Sequence, residues 1–190
     1  MRTFIAIDID EKVRALLGDI ISRLKKGIQF TGATPSWVPI ENIHLTLQFL
    51  GEIEEGKIAI INDLLKEVAS ETKSFEINVE KLGVFPNRHS PKVLWIGINE
   101  GKDEAINLQQ KVVEKMKKLG FAPESRPFSP HLTLARIKSL RGTKGMMDVI
   151  TSHSNFSAGR CLINELILFK SILYKTGAEY TPLIKIPFNQ

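Results

Sequence analysis

His44-Leu45-Thr46-Leu47 and His131-Leu132-Thr133-Leu134 are one tetrapeptide met twice, 87 positions apart (131 − 44). A proline-containing run introduces each copy: Trp37-Val38-Pro39-Ile40-Glu41-Asn42-Ile43 before the first and Pro127-Phe128-Ser129-Pro130 before the second. Side chains alternate between the faces of a β-strand, so each copy turns its His and Thr one way and its two leucines the other. The leucines suit a core and the His and Thr a wetter groove. Strict alternation over a first motif strand at 43–50 also places Gln48 beside His44 and Thr46, with Phe49 among the leucines.

Only four histidines occur in 190 residues, and two of them fall in the identical tetrapeptides. Two such strands side by side present two imidazoles and two hydroxyls to one groove. Imidazole titrates near neutral pH, so one ring can accept a proton while the other donates one. A threonine hydroxyl beside each ring is a neutral donor suited to an anionic oxygen. The set fits acid/base attack on a phosphodiester without a covalent intermediate. Each motif offers one His and no acid on the same face, short of the three or more convergent ligands of a hydrolytic metal site, so neither a metal nor a cofactor is expected.

Composition bounds the rest. With 43% hydrophobic and 25% charged residues the chain is neither disordered nor fibrous. At this length one sizeable core, or two small lobes sharing an interface, is possible. The charge of +5 and pI near 9.3 permit a polyanionic partner without demanding one. A single cysteine, Cys161, excludes an internal disulfide framework and a Cys-based zinc site. Asp8, Asp10 and Glu11 interrupt the apolar start, no run approaches a membrane span, and a monomer in the cytoplasm, away from any membrane, is expected.

Periodicity orders the chain. Residues 3–9 alternate as a strand. Val13, Leu16, Leu17, Ile20, Ile21 and Leu24 recur at helical spacing over 10–26, with Asp10 as N-cap. A loop over 27–36 with a short strand near 28–30 leads to the first motif. A helix over 54–70 and strands at 75–82 and 93–98 follow. A helix over 101–119 turns Ile106, Leu108, Val112, Val113 and Met116 inward and stops at Gly120 in a left-handed cap. Then come the second motif strand at 131–137, a basic segment over 138–145, a weak helix near 146–153, and strands at 161–170 and 180–187 joined through Thr176 and Gly177. Alternation this clean favours one-sided sheets backed by helices over a doubly wound parallel sheet.

With its paired His-x-Thr motifs the sequence resembles the 2H phosphoesterases, and among them the RNA 2′,3′-cyclic phosphodiesterases, also called 2′-5′ RNA ligases. Supporting matches are Met1 to Ile7, Trp37 to Gly51, Val84-Phe85-Pro86, Leu94-Trp95-Ile96-Gly97, Pro130 to Arg136, Ser171, Leu173, Gly177 and Tyr180. The resemblance implies one α+β domain over residues 1–190. Its two similar lobes would hold two antiparallel sheets related by a pseudo-two-fold axis, helices on the outer faces and the active-site cleft between. It implies hydrolysis of the 2′,3′-cyclic phosphate of RNA ends or nucleotides to a 2′-phosphomonoester, with His44 as proton donor and His131 as acceptor. Binding of RNA ends without turnover, or 2′-5′ ligation by the reverse reaction, are the alternatives. Relatives use an arginine at Arg136 to hold the phosphate; alternation puts Arg136 on the leucine side, so it reaches the groove only if the strand bulges or ends near Ala135. Phe128, just ahead of the second motif, is the candidate for stacking on a base or for packing in the core. Trp37 and Trp95 read as packing residues.

Overall fold

β1 (Arg2–Ile7) stops at the acidic cluster, and α1 (Glu11–Gly27) starts behind Asp10, whose carboxylate accepts the Val13 N–H at 2.8 Å. That bond satisfies one of the orphan donors of the first turn. Lys25 and Lys26 close α1 at the negative end of its dipole. The structure is a computed structural model that describes residues 1–28, 35–138, 145–174 and 177–189. Most of the short strand expected near 28–30, the basic segment after Lys138, and Thr176 of the last turn lie outside the described residues.

After α1 come β2 (Ser36–Trp37), a 3₁₀ turn (Ile40–Asn42), β3 (Leu45–Glu52), α2 (Lys57–Ser70), β4 (Phe75–Phe85) and β5 (Val93–Ile98). They are followed by α3 (Lys102–Lys117), β6 (His131–Arg136), α4 (Met146–Ser152), β7 (Ser157–Ile163), β8 (Glu165–Tyr174) and β9 (Gly177–Pro187). The strands form two antiparallel sheets, ordered β3-β1-β8-β9 and β2-β6-β5-β4-β7. Strand, helix, motif strand, helix occurs twice in sequence, as β1-α1-β3-α2 and as β5-α3-β6-α4. In each sheet the motif strand pairs with the strand that opens its run, β3 with β1 and β6 with β5, which is the pseudo-two-fold relation. Neither half of the chain builds a sheet alone, because β4 leaves the first run for the second sheet and β8 and β9 return to the first.

α2 lies on β8 and β9 and packs on α3, which lies on β3; α1 and α4 pack together and lie on β7 and β4. Among the described residues each sheet therefore has one face under helices and one face without them. The helix-covered faces share one apolar core that includes Ile5, Ile7, Leu17, Leu45, Leu65, Ile77, Ile96, Leu108 and Leu132. A second, smaller cluster of Phe4, Ala6, Ile167 and Phe169, with Tyr180 against it, occupies the other face of the first sheet.

Two readings of the sequence change. The expected strand at 161–170 is two, broken at Asn164: its apolar residues run on, but the chain changes sheet there. On α3, Ala105, Leu108, Val112 and Met116 are buried while Ile106 and Val113 are only partly so, because the buried four share one stripe of the helix and the other two flank it. Gly120 does adopt a left-handed φ of 84°.

Candidate functional site

Both motif strands contain a bulge at the same motif position. Opposite β1, Ala6 faces Thr46 and Ile5 faces Gln48, so Leu47 is an extra residue. Opposite β5, Trp95 faces Thr133 and Leu94 faces Ala135, so Leu134 is extra. An extra residue reverses the side-chain parity beyond it. In the first copy Gln48 turns into the core at 2% exposure, with both amide atoms lacking a partner, and Phe49 turns out at 48%. This corrects the strict alternation that placed Gln48 in the groove and Phe49 with the leucines. In the second copy Ala135 is buried and Arg136, opposite Val93, returns to the face of Thr133. That bulge is the condition on which Arg136 reaches the groove.

The two histidines are held alike. The His44 Nδ1–H donates to the Asn42 carbonyl at 2.8 Å, and the His131 Nδ1–H to the Ser129 carbonyl at 2.7 Å. A carbonyl only accepts, so in each neutral ring the proton sits on Nδ1 and Nε2 is bare. Thr46 accordingly donates its hydroxyl to His44 Nε2 at 2.9 Å.

The turn that carries the Asn42 carbonyl is itself fixed from behind. Buried Arg14 donates from Nη1 to the Ile40 carbonyl at 2.6 Å and the Ile43 carbonyl at 3.2 Å, clamping both ends of the 3₁₀ turn. Its Nη2 meets the Asp8 carboxylate at 2.6 Å. The Asn42 side chain ties the turn to β9 by donating to the Ala178 carbonyl at 2.7 Å.

Aromatic rings surround each imidazole. Phe4 stacks on His44 with centroids 4.7 Å apart, Phe169 lies parallel at 5.8 Å, and Tyr180 meets it edge-on at 5.2 Å. Phe85 meets His131 edge-on at 5.1 Å, and Trp95 stands 6.2 Å away. Burial among these rings disfavours charge and lowers His44 from 6.5 to about 4, against the raising effects of the Asn42 hydrogen bond and the Asp8 carboxylate. His131 is lowered too, by burial first and then by the neighbouring Arg136 guanidinium.

β3 and β6 belong to different sheets, yet their Cα atoms approach within 8 Å. Among the described residues β2 pairs with β6 at Ala135 and Arg136 and the Val38 N–H donates to the Leu134 carbonyl at 2.9 Å, so the pairing stops short of the His131 end of that strand. The structure thus sets the two motif strands together at the seam between the sheets. Phe128 is partly buried against the main core, and among the described residues Phe85 and Trp95 are the rings that meet His131. Phe4, Phe85, Trp95 and Phe169 escaped the sequence reading as site residues because nothing local marks an aromatic that meets a histidine from another strand. Their only signal was parity: Phe4 alternates with Thr3 and Ile5, and Trp95 with Leu94 and Ile96. Among the described residues no three His, Cys, Asp or Glu side chains converge as metal ligands would, and no helix is long and apolar enough to cross a membrane.

The sequence matches the family described as LigT like Phosphoesterase in two consecutive blocks, residues 7–95 and 96–180, one motif in each. An Archaeoglobus fulgidus protein named RNA 2′,3′-cyclic phosphodiesterase is 38% identical over 96% of this chain and 98% of its own. A Thermotoga maritima protein of the same name is 33% identical over 100% of this chain and 96% of its own. Among solved structures, E. coli LigT complexed with 3′-AMP superposes with a TM-score of 0.78 at 26% identity, covering 100% of this chain and 98% of that one.

Proposed function

Because the chain belongs to the LigT-like phosphoesterase family, we propose that it hydrolyses the 2′,3′-cyclic phosphate of RNA ends or nucleotides to a 2′-phosphomonoester, with paired imidazoles and no metal ion. One observation carries the mechanism: each motif histidine commits Nδ1–H to the carbonyl two residues before it, leaving Nε2 for the proton that must move. Neutral His131 takes a proton from the attacking water. Protonated His44 gives one to the departing ribose O3′, and each transfer contributes about 10²- to 10⁴-fold.

The hydroxyls of Thr46 and Thr133 donate to the nonbridging oxygens as negative charge gathers there. Thr46 is released for this when His44 gains a proton on Nε2. Arg136 adds the charged fork that a phosphate accepts. The relatives' shared name supports the substrate class, since they match this chain nearly end to end. One chain carries both motifs and the sheets exchange strands between its halves, which supports reading residues 1–190 as one domain.

The test is incubation with adenosine 2′,3′-cyclic phosphate in EDTA, with identification of the monophosphate isomer. Release of the 2′-isomer, lost in His44→Ala and in His131→Ala, is expected. Activity that needs an added divalent ion, or a His44→Ala variant that turns over at the wild-type rate, would overturn the reading.

A further inference from the structure

We propose that Asp8 and Arg14 are positioning residues for the reaction, Arg14 by holding the carbonyl that fixes the His44 tautomer and Asp8 by pairing the charge of Arg14; the inference rests on the reading of His44 as proton donor. The ladder between β1 and β3 ends at Ile7 opposite Leu45. Asp8 follows Ile7 and His44 precedes Leu45, so the same register sets these two opposite each other just past the last ladder pair. There Arg14 takes over. Its Nη2 donates to the Ile9 carbonyl at 3.2 Å as well as to Asp8, and its Nη1 donates to the Ile40 and Ile43 carbonyls on the other side. Four of the five N–H groups of the guanidinium thus join the end of β1 to the turn before β3, and the fifth, on Nε, faces Glu11 at 3.4 Å.

A buried ion pair is replaceable by apolar side chains of similar volume at little cost in stability. A clamp on carbonyls is not, because only a flat fork of donors meets several acceptors at once. What the clamp holds is the turn Ile40–Asn42, and the Asn42 carbonyl accepts the Nδ1–H of His44. A ring that has delivered its Nε2 proton must be neutral with the remaining proton on Nδ1, and this carbonyl stabilises that form alone. Were the turn to drift, the Nε2–H form would compete, and Thr46 would accept from the ring instead of donating to the phosphate. His131 has its tether between Pro127 and Pro130, whose fixed φ stiffens that run. The turn before His44 has Pro39 at one end only.

The guanidinium that holds the turn is also a cation close to a group that must carry a proton, and Asp8 answers that conflict. Its Oδ1 accepts from Arg14 Nη2 at 2.6 Å and from the Ile9 N–H at 2.9 Å. The charged and titratable groups around His44 are Asp8 at the end of β1, Arg14 on α1, the Tyr180 phenol on β9 and, across the seam, His131 and Arg136 on β6; Phe4 and Phe169 bring none. Glu41 of the turn and Glu179 of β9 are exposed and line a hollow beyond Asn42 and Tyr180. Behind burial, which lowers His44, and the Asn42 hydrogen bond, which raises it, stand the Asp8 carboxylate raising it and the Arg14 guanidinium lowering it, in that order.

The test reads two variants in two ways. Nitrogen NMR of the free protein at pH 7 reports which ring nitrogen of His44 holds the proton, and the pH profile of kcat for adenosine 2′,3′-cyclic phosphate reports the donor on its alkaline limb. Arg14→Lys keeps the charge and loses the fork, so both ring nitrogens should be partly protonated while the alkaline limb stays in place. Asp8→Asn keeps an acceptor for Arg14 and loses the charge, so the proton should remain on Nδ1 while the alkaline limb moves down by about one unit. That shift is a loss of about tenfold in kcat at pH 8, with KM no higher, and Asp8→Glu should bring the limb back. An Arg14→Lys ring protonated on Nδ1 alone, or an Asp8→Asn limb at the wild-type pH, would overturn the proposal. The ring readout needs no turnover, so it decides the clamp even where Asp8→Asn is too unstable to assay. A wild-type protein that leaves the ester intact would instead overturn the functional reading, and the positioning role with it, whatever the ring readout gives.

Discussion

Filling the groove with a phosphodiester anion should raise the pKa of His44 by about three units. In the free protein burial holds it down at about 4, so at neutral pH about one ring in a thousand carries the second proton. A proton donor needs that proton, since the Nδ1–H is committed to the Asn42 carbonyl and only a protonated Nε2 can give one up. The substrate's own charge supplies the difference. A unit negative charge about 4 Å from the ring, at an effective dielectric constant of about 20, is worth about 4 kcal/mol, which is about three pKa units. His44 then titrates near pH 7 in the complex, and about half of the bound molecules hold the acid in its working form. The assay is NMR of the imidazole nitrogens over pH 3 to 9, free and saturated with a 3′-deoxynucleoside 2′-(methyl phosphate), a monoanionic diester that cannot cyclise. If His44 stays near 4 in the complex while His131 rises, the donor and acceptor are exchanged; if neither moves, the anion does not lie between them.

The same depression has a cost at low pH. A folded-state pKa below the unfolded value means that neutral His44 stabilises the fold above about pH 6.5, and that this stability is lost as pH falls toward 4. The loss is on the order of 3 kcal/mol, from 1.36 kcal/mol per unit.

Three further outcomes follow. Urea unfolding at pH 7 and pH 4 should show His44→Asn lacking most of that acid-linked loss; an unchanged difference between the two pH values would mean that His44 is not the group responsible. Arg14→Lys keeps the charge but not the fork that clamps Ile40 and Ile43, so kcat should fall by up to about 10²-fold with KM little changed; a KM effect alone would place Arg14 in substrate binding. In Gly83→Ala the new Cβ would overlap two ring atoms of Trp95, and the forced shift should cost about 1–3 kcal/mol and alter Trp95 fluorescence in a Trp37→Phe background, whereas a wild-type melting temperature would show that the ring has room to move.

What was legible in the sequence was whatever a short window encodes. Asp10 caps α1 because its carboxylate needs only the backbone three residues on, and Gly120 stops the third helix because it alone tolerates the left-handed turn cheaply. The repeated tetrapeptide gave the pairing of the lobes. The misreadings arose where the controlling partner is distant. Parity along β3 reads correctly to Leu47 and fails at Gln48, since the bulge is a property of the register with β1 and leaves no mark in the motif itself. The break at Asn164 was hidden in the same way: Ile163 and Leu166 are equally buried on either side of it, and only the pairing partners reveal two sheets. The rings around the histidines come from β1, β4, β5, β8 and β9, and no local pattern brings those strands together.

Counted from the motif histidine, the sixth residue is Phe49 in one copy and Arg136 in the other, and this difference bears on which histidine does what. Identical tetrapeptides with identical Nδ1 tethers would make the two rings interchangeable, and an interchangeable pair has no preferred direction of proton flow. Arg136 removes the equivalence: its positive charge acts on His131 in the direction that keeps the ring neutral, fit to accept a proton. The matching position near His44 holds an uncharged ring. The cation that does act on His44, Arg14, is ion-paired with Asp8 at 2.6 Å, and the Asp8 carboxylate outweighs it at the imidazole by favouring the protonated form. Burial alone keeps His44 neutral, and burial is a penalty that an arriving anion offsets. The guanidinium beside His131 persists in the complex and goes on opposing its protonation. Arg136 thus makes the two motifs unequal in the sense that the proposed role of His131 as acceptor requires.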